Sequence, residues 1–231
     1  MRESMDNFEV LRHIPLFGGL PEDQLRVLAQ CASQKSVRPG RQVFEDMAHS
    51  PGFYLVVWGR VKIFKSSPEG REQTIFVFGP GELFCLTAFA DEYSPASATA
   101  LEDTRILFFP AEVMEGVARR EPALLFGIML ALSRRLKEAL AVIEALSLQE
   151  IPQRLAIFLT HSLAKEGQGD SFELPFSQRE LAKIIGATPE TLSRVFRKLS
   201  DEGVLSMDGR TIRILERTAL GALAQGDQAA D

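Results

Sequence analysis

The segment between Pro122 and Leu148 carries the pattern that most constrains the fold of this chain. Apolar residues recur there at alternating steps of four and three, the spacing of the a and d positions of a coiled coil. Such spacing predicts one long helix with a continuous apolar seam, which favours pairing with a second copy of the helix. An amphipathic helix packed on its own domain is the alternative. The seam residues are Leu125, Met129, Leu132, Leu136, Ala139, Ile143 and Leu146.

The sequence before this helix is typical of short β-strands. From about Phe17 to Pro110, apolar runs such as 53–57 and 61–64 are separated by turn residues such as 67–70, Ser-Pro-Glu-Gly. A short helix over 21–31 precedes the strands. Many short strands with regular turns predict a sandwich or a barrel.

The sequence after the long helix predicts a helix-turn-helix. Ser177 and Glu180 form a capping box, in which the hydroxyl caps the helix and the carboxylate reaches back to a free backbone N–H. Gly186 supplies the tight turn between the helices. Thr188 and Pro189 then begin the second helix as its N-cap and its first residue.

A β-hairpin follows the second helix directly. Apolar residues at 204–207 and 211–215 flank Asp208 and Gly209, a dipeptide typical of two-residue hairpin turns. A hairpin in this position is a wing, and Arg210 at its tip can meet a DNA phosphate.

Three polar residues near the start of the second helix share one face. Glu190, Ser193 and Arg194 are spaced i, i+3 and i+4, and this end of such a helix enters the major groove of DNA. Arginine can bond O6 and N7 of guanine together, and glutamate can accept from N4 of cytosine. We therefore predict that these residues read bases. An ordinary surface ion pair is the alternative.

Length, charge and cysteine content limit the classes of protein to which this chain can belong. The 231 residues are enough for two small domains, and the net charge is −5. The segment 177–217 nevertheless holds eight Lys and Arg against six Asp and Glu, a balance of +2. No apolar run reaches the ~18 residues of a membrane span, the N-terminus lacks the apolar core of a signal peptide, and two cysteines fit a reducing compartment. We expect a cytoplasmic protein without membrane contact.

These features resemble the CRP/FNR family of bacterial transcription regulators over nearly the whole chain. The run 189–194, Pro-Glu-Thr-Leu-Ser-Arg, is similar to the family's recognition helix. Its Ser before the Arg is similar to the FNR and DNR-type branch, since the cAMP-responsive branch carries Gly there. The resemblance implies a homodimer on double-stranded DNA that reads two palindromic TTGA-like half-sites and contacts RNA polymerase. It also implies phosphate contacts by Ser177, Gln178 and Arg179, supported by Thr188, Thr191 and Arg210.

The N-terminal half is similar to cyclic-nucleotide-binding domains at 59–62, Gly-Arg-Val-Lys, and at 81–83, Gly-Glu-Leu. In those domains an Arg-Ser pair meets the cAMP phosphate, and this chain has Ser94 and Pro95 at the corresponding positions. We therefore expect a small effector other than cAMP, with Glu82 facing a turn or a helix rather than a ribose. The predicted effector pocket comprises Gly81, Glu82, Leu83, Cys85, Thr87, Ala139 and Leu140, the last two standing where adenine would meet hydroxyls.

Haem is one candidate cofactor. An iron–sulfur cluster needs about four thiolates, and the chain has only Cys31 and Cys85. The run 81–85 is similar to that of the carbon-monoxide-sensing haem member of the family, in which Cys is an axial ligand, although Thr87 stands where that protein has a ligand His. DNR-type relatives bind haem and respond to nitric oxide. The haem-ligand candidates are Cys85, His13 and His49; an unidentified ligand or no effector at all are the other interpretations.

The predicted architecture is α+β. It comprises an antiparallel sensor β-roll over 1–121, a dimerisation helix and hinge over 122–150, a winged helix-turn-helix over 151–220 and a disordered tail over 221–231.

We expect a regulator rather than an enzyme. A cupin-like metalloenzyme on the same roll needs clustered His and carboxylate ligands, and the strand region offers only His49. A signalling module whose helix-turn-helix does not read DNA is a further alternative.

Overall fold

Helices and antiparallel strands follow one another along the N-terminal half much as the turn pattern predicts. The structure is a computed structural model that describes residues 6–49, 52–90, 93–166 and 169–226. In chain order the N-terminal elements are α1 (Asn7–Arg12), α2 (Glu22–Cys31), β1 (Ser33–Val37), β2 (Gln42–Phe44), β3 (Gly52–Trp58), β4 (Val61–Ser66), β5 (Glu72–Phe78), β6 (Leu83–Phe84), a 3₁₀ helix (Leu86–Phe89), β7 (Ser97–Ala100), β8 (Thr104–Pro110) and α3 (Ala111–Arg120).

The strands form two four-stranded antiparallel sheets, in the orders β1-β8-β3-β6 and β2-β7-β4-β5. Strands β3 and β8 pair along most of their length and are buried on both faces. Side chains alternate between the faces of a sheet: Phe53 and Leu107 pack against the helices, whereas Val56 and Ile106 pack against the second sheet. Burial on both faces explains why these strands read as continuous apolar runs. The two facing sheets make the β-roll that the sequence predicts.

The C-terminal half consists of helices and a small three-stranded sheet. Its elements are α4 (Pro122–Leu148), α5 (Ile151–Glu166), β9 (Ser171–Glu173), α6 (Gln178–Ile185), α7 (Pro189–Asp201), β10 (Leu205–Asp208), β11 (Thr211–Ile214) and α8 (Arg217–Gln225). The sheet has the order β10-β11-β9. The core of this half includes Leu155, Leu159, Phe172, Leu181, Leu192, Phe196, Ile212 and Leu220, all buried.

The chain divides into two units inside α4. One unit comprises Met1–Ser67 with Ile75–Glu138, and the other comprises Pro68–Thr74 with Ala139–Asp231. The sequence placed boundaries at the two ends of α4 instead. The helix is divided because Leu124 and Ile128, near its start, belong to the apolar core of the first unit.

The C-terminal end is more ordered than the sequence predicted. Helix α8 runs through Gln225, so 221–225 are helical where we expected a disordered tail. Leu220 is buried and attaches this helix to the C-terminal unit. The remainder of the predicted tail, 227–231, lies outside the described residues. Within the described ranges, no helix combines the length and apolar composition needed to cross a lipid bilayer.

The turn between β3 and β4 gives a test of the roll. Gly59 has φ +86°, and a Cβ there would lie 2.4 Å from Oγ1 of Thr104. Replacing it by Ala adds a left-handed backbone cost of about 1–2 kcal/mol to a packing clash of about 1–3 kcal/mol. Gly70→Ala is the matched control, because Gly70 has φ +80° but no atom near its added Cβ.

We expect Gly59→Ala to lower the free energy of unfolding clearly more than Gly70→Ala does. Urea unfolding of the full chain, followed by the fluorescence of its single tryptophan, Trp58 in β3, measures both. Equal losses in the two variants would show that the close approach to Thr104 carries no energy.

Candidate functional site

Two capped helices and a glycine turn shape the helix-turn-helix. Oγ of Ser177 accepts a hydrogen bond from the backbone N–H of Glu180 at 3.3 Å, which caps α6. The carboxylate of Glu180 accepts from Nζ of Lys183 at 3.0 Å. Oγ1 of Thr188 accepts from the backbone N–H of Thr191 at 3.2 Å, which caps α7. Both predicted N-caps are present.

The turn between α6 and α7 requires glycine. Gly186 has φ +68°, a conformation that other residues reach only with strain. A Cβ there would also lie 2.4 Å from Cδ2 of Leu146 and 2.9 Å from Nη1 of Arg154. The backbone of the turn is therefore packed closely against its surroundings, which holds the start of α7 in one place.

Helix α7 has one buried and one exposed face. Leu192, Phe196 and Leu199 are buried, whereas Glu190 and the other two predicted base-reading residues, Ser193 and Arg194, are exposed. The structure brings these three polar side chains together on the first two turns of the helix. A free polar face at a helix N-terminus is what insertion into the major groove requires.

Neighbouring groups restrict the Arg194 side chain and lower the pKa of Glu190 on this face. Nη2 of Arg194 donates to Oγ1 of Thr191 at 3.2 Å, which restricts the guanidinium. The pKa of Glu190 is held below its usual range by its own backbone N–H and the Thr188 hydroxyl, with Arg179 and Arg194 adding to the effect. Glu190 is therefore an ionised hydrogen-bond acceptor at neutral pH.

The residues predicted to touch phosphates lie around this face. Ser177, Gln178 and Arg179, at the start of α6, are all exposed, as is Thr188. Thr191 is half-buried, and its hydroxyl bonds both Thr188 and Arg194. Thr191 therefore orients its neighbours.

The wing differs by one residue from the prediction. Asp208 pairs with Thr211, so the two-residue loop is Gly209 and Arg210 rather than Asp208 and Gly209. Gly209 has φ +59° at the first loop position, as in a type II′ turn. Arg210 stands in the loop and forms an exposed ion pair with Glu173 at 2.9 Å. Exposed pairs of this kind are weak, about 0–1 kcal/mol, so a phosphate can replace Glu173.

Arg197 is a candidate contact that the sequence reasoning missed. It lies three residues after Arg194 and is exposed on the same side of α7. Among the described residues no carboxylate forms an ion pair with it. The spacing 190, 193, 194, 197 would have revealed it.

The predicted seam of α4 is mostly exposed in the single chain. Leu136 and Ile143 are 63% and 60% exposed, and Leu125, Met129, Leu132 and Leu146 are also exposed. Ala139 is half-buried. A stripe of exposed large apolar side chains along one helix is typical of an interaction surface.

A separate cavity of about 170 Å³ lies inside the roll. Leu83, Cys85 and Thr87 of the predicted effector pocket line it, whereas Gly81 and Glu82 line a neighbouring cleft. Ala139 and Leu140 are not among the described residues that line either space. Ser94 and Pro95, which the resemblance placed at the phosphate position, line it as well. The lining that the sequence missed comprises Phe44, Ile63, Phe76, Phe78, Phe84, Leu86, Ala96, Leu132 and Arg135. The alternation of Phe76 and Phe78 along β5 is the sequence pattern that could have indicated part of this lining.

Glu82 faces the turn and the long helix. Its Oε2 accepts from the backbone N–H of Gly79 at 2.6 Å, and its Oε1 accepts from Nη2 of Arg135 at 2.7 Å. Both carboxylate oxygens are thus engaged within the protein.

The haem-ligand candidates lie on different elements. His13 is exposed at the end of α1, with Nδ1 2.7 Å from the carbonyl of Glu9. The His49 ring packs edge-on against Tyr93, and Sγ of Cys85 lies 3.7 Å from Oγ of Ser94. Within the described part of the chain, no three His, Cys, Asp or Glu side chains are grouped for a metal ion.

Known proteins resemble both halves of the chain. A Crp-like helix-turn-helix domain matches residues 153–223, and a cyclic nucleotide-binding domain matches residues 34–121. The cyclic AMP receptor protein of Thermus thermophilus is 33% identical over 213 residues, 92% of this chain and 97% of that protein. The transcriptional activator protein Anr of Pseudomonas aeruginosa is 30% identical over 196 residues, 83% of this chain and 80% of that protein. The structure of FixK2 from Bradyrhizobium japonicum has a TM-score of 0.75 and 25% identity, and the match covers 87% of this chain and 99% of that one.

The cap of α7 yields a prediction about local stability. Thr188→Ala removes the acceptor for the N–H of Thr191, at a cost of about 1 kcal/mol. We expect the amides of the first turns of α7 to exchange with solvent roughly fivefold faster, measured by hydrogen exchange on the full chain. Thr188→Ser keeps the hydroxyl and should exchange nearly as the parent does. Equal acceleration in both variants would contradict the capping role.

Proposed function

Because this chain belongs to the CRP/FNR family of transcription regulators, which bind DNA as dimers and are not enzymes, we propose that it is a homodimer that reads palindromic TTGA-like sites. We further propose that a small effector other than cAMP controls this binding. The observation that carries the proposal is the exposed polar face of α7, with Glu190, Ser193 and Arg194 at its N-terminal end.

Base reading follows from the chemistry of that face. Arg194 offers two parallel N–H donors, which suit the O6 and N7 acceptors of guanine. Glu190, ionised at neutral pH, suits the amino group of cytosine. A guanine and its paired cytosine present these groups together in the major groove. The two side chains can therefore read the guanine and the cytosine of one base pair within a half-site.

Phosphate contacts position the reading face. Ser177, Gln178 and Arg179 lie at the N-terminus of α6, where free backbone N–H groups favour an anion. Arg210 in the wing and Arg197 on α7 supply cations on either side. Contacts of this kind fix the orientation of a protein on DNA without reading sequence.

The seam of α4 supports a dimer. Pairing two copies of the stripe removes large apolar side chains from water, and each fully buried Leu contributes about 1.5–3 kcal/mol. A two-fold dimer presents two copies of α7, which suits a palindrome whose half-sites lie about 34–36 Å apart.

The effector site lacks the groups that a cyclic phosphate needs. By the resemblance to cyclic-nucleotide-binding domains, Ser94 and Pro95 stand where an Arg-Ser pair would meet the phosphate. Oγ of Ser94 donates to the carbonyl of Ala96 at 3.1 Å, and Pro95 has no N–H. The Ser94 hydroxyl and Pro95 thus supply neither a cation nor a free N–H donor to an anion at these two positions. A compound other than cAMP is therefore the better candidate.

We also infer from the family resemblance that the DNA-bound dimer contacts RNA polymerase and acts in the cytoplasm. The effector would shift the protein between a DNA-competent and an incompetent state, which requires that it bind one state better than the other.

A variant that lacks one predicted base contact tests the role of α7 in DNA recognition. We expect Arg194→Ala to weaken binding to a TTGA-type palindrome roughly 10- to 100-fold, since a bidentate base contact is worth about 1–3 kcal/mol. Fluorescence anisotropy with the palindrome and with unrelated duplex DNA measures the loss. Binding to unrelated DNA should change much less.

Arg197→Ala is the matched control, an exposed Arg on the same side of the same helix. It should weaken binding to both DNAs to a similar degree. It should also reduce the slope of log binding constant against log salt concentration by about one. If the parent protein showed no preference for any palindrome, the signalling-module alternative would be favoured.

A charge in the seam tests the dimer. Leu136→Glu places a carboxylate among apolar side chains and should weaken self-association on the order of a hundredfold or more. Light scattering at micromolar protein gives the mass. Leu148→Glu is the control, because Leu148 is 80% exposed and lies off the 4-3 spacing. A dimer that persists in Leu136→Glu would place the interface elsewhere.

A further inference from the structure

The cavity in the roll has an apolar wall. Aromatic and aliphatic side chains from both sheets and from α4 surround it: Phe44, Ile63, Phe76, Phe78, Leu83, Phe84, Leu86 and Leu132. The rings of Phe78 and Phe84 lie 5.3 Å apart, centre to centre, and that of Phe44 lies 6.3 Å from that of Phe84. A ligand inside this cavity would mainly contact carbon.

The size of the cavity limits the ligand. Its volume of about 170 Å³ is close to that of an engineered apolar cavity of about 150 Å³ that holds one benzene. Sites for drug-sized molecules usually measure about 300–1,000 Å³. The cavity therefore suits a single ring and would have to open considerably for a nucleotide or a porphyrin.

The charged groups at the cavity favour an uncharged ligand. Arg135 is the cation in the lining, and its guanidinium lies 4.1 Å from the centre of the Phe78 ring. It is already paired with Glu82 at 2.7 Å and with Glu138 at 2.5 Å. Two carboxylates therefore already occupy this guanidinium, and an anion would have to displace one of them to pair with it.

Few polar groups in the wall are available to a ligand. The hydroxyl proton of Ser94 is used by the carbonyl of Ala96, and Pro95 has no N–H. Thr87 contributes one hydroxyl to the wall, which suits one hydrogen bond to a polar substituent.

We infer that the roll cavity binds a small uncharged aromatic molecule with one ring, such as an alkylbenzene or a phenol. Its role as the effector rests on the proposed function. A route to regulation is present in the lining: Leu132 belongs both to the cavity wall and to the predicted dimer seam, and Arg135 lies one turn further along α4. A ring placed against Leu132 would act directly on the helix that joins the two copies.

The test uses the purified full-length protein with toluene and phenol as probes. Benzoate, cAMP and hemin serve as charged or larger counterparts. Isothermal titration calorimetry and ligand-observed NMR should show one toluene or phenol per chain. Benzoate should bind at least tenfold more weakly than phenol, and cAMP should not bind.

Two cavity-filling variants locate the site. Ala96→Leu adds three carbon atoms to the cavity wall, and Thr87→Phe fills the cavity from its exposed edge. Each should weaken toluene binding at least tenfold. Ala164→Leu, on an exposed position of α5 in the other unit, is the matched control and should bind as the parent does. If Ala96→Leu unfolds the roll, Thr87→Phe decides alone.

Several outcomes would overturn the inference. Saturable binding of hemin or cAMP at one per chain, without binding of either ring compound, would assign the cavity to another class of ligand. Ring binding that survives in a folded Thr87→Phe variant would place the site elsewhere. DNA anisotropy on the same preparation tests the proposed function separately, because palindrome binding can fail while toluene still binds in the cavity.

Discussion

The long helix α4 must bury apolar surface in more than one direction, and much of the structure depends on this constraint. Near its start, Leu124 and Ile128 face the core of the first unit. A little further on, Leu132 and Arg135 close one side of the roll cavity. The seam remains exposed in a single chain. One helix thus contributes to a core, to a cavity wall and to an exposed apolar stripe.

The exposed polar face of α7 depends on short-range interactions instead. The N-caps at Ser177 and Thr188 and the left-handed Gly186 all act within a few residues. They set where α7 begins and therefore which side chains occupy its first turns. The same N-terminal geometry lowers the pKa of Glu190, since backbone N–H groups favour a carboxylate. Local capping thus determines the position of this polar face.

The sequence was a good guide where the signal was local or periodic. The apolar periodicity predicted a long helix from Pro122 to about Leu148, where α4 lies, and the caps, the glycine turn and the hairpin predicted the winged helix-turn-helix. Errors arose where distant contacts decide. The hairpin loop lies one residue later than predicted, with Asp208 paired to Thr211, and β11 also pairs with β9. Residues 221–225 became helical because Leu220 found a buried position.

The sequence by itself determined the fold class, the exposed polar face of α7 and the apolar 4-3 stripe of α4, because caps, turns and apolar periodicity act through neighbouring residues. Only the tertiary structure decided the cavity, because its wall comes from strands and a helix far apart in the chain. Arg135 was not recognisable as its cation until folding placed it beside Phe78 and Glu82. Similarly, the predicted pocket positions Ala139 and Leu140 lie beyond the part of α4 that lines the cavity. Spacing along one helix cannot show which of its turns meets a sheet.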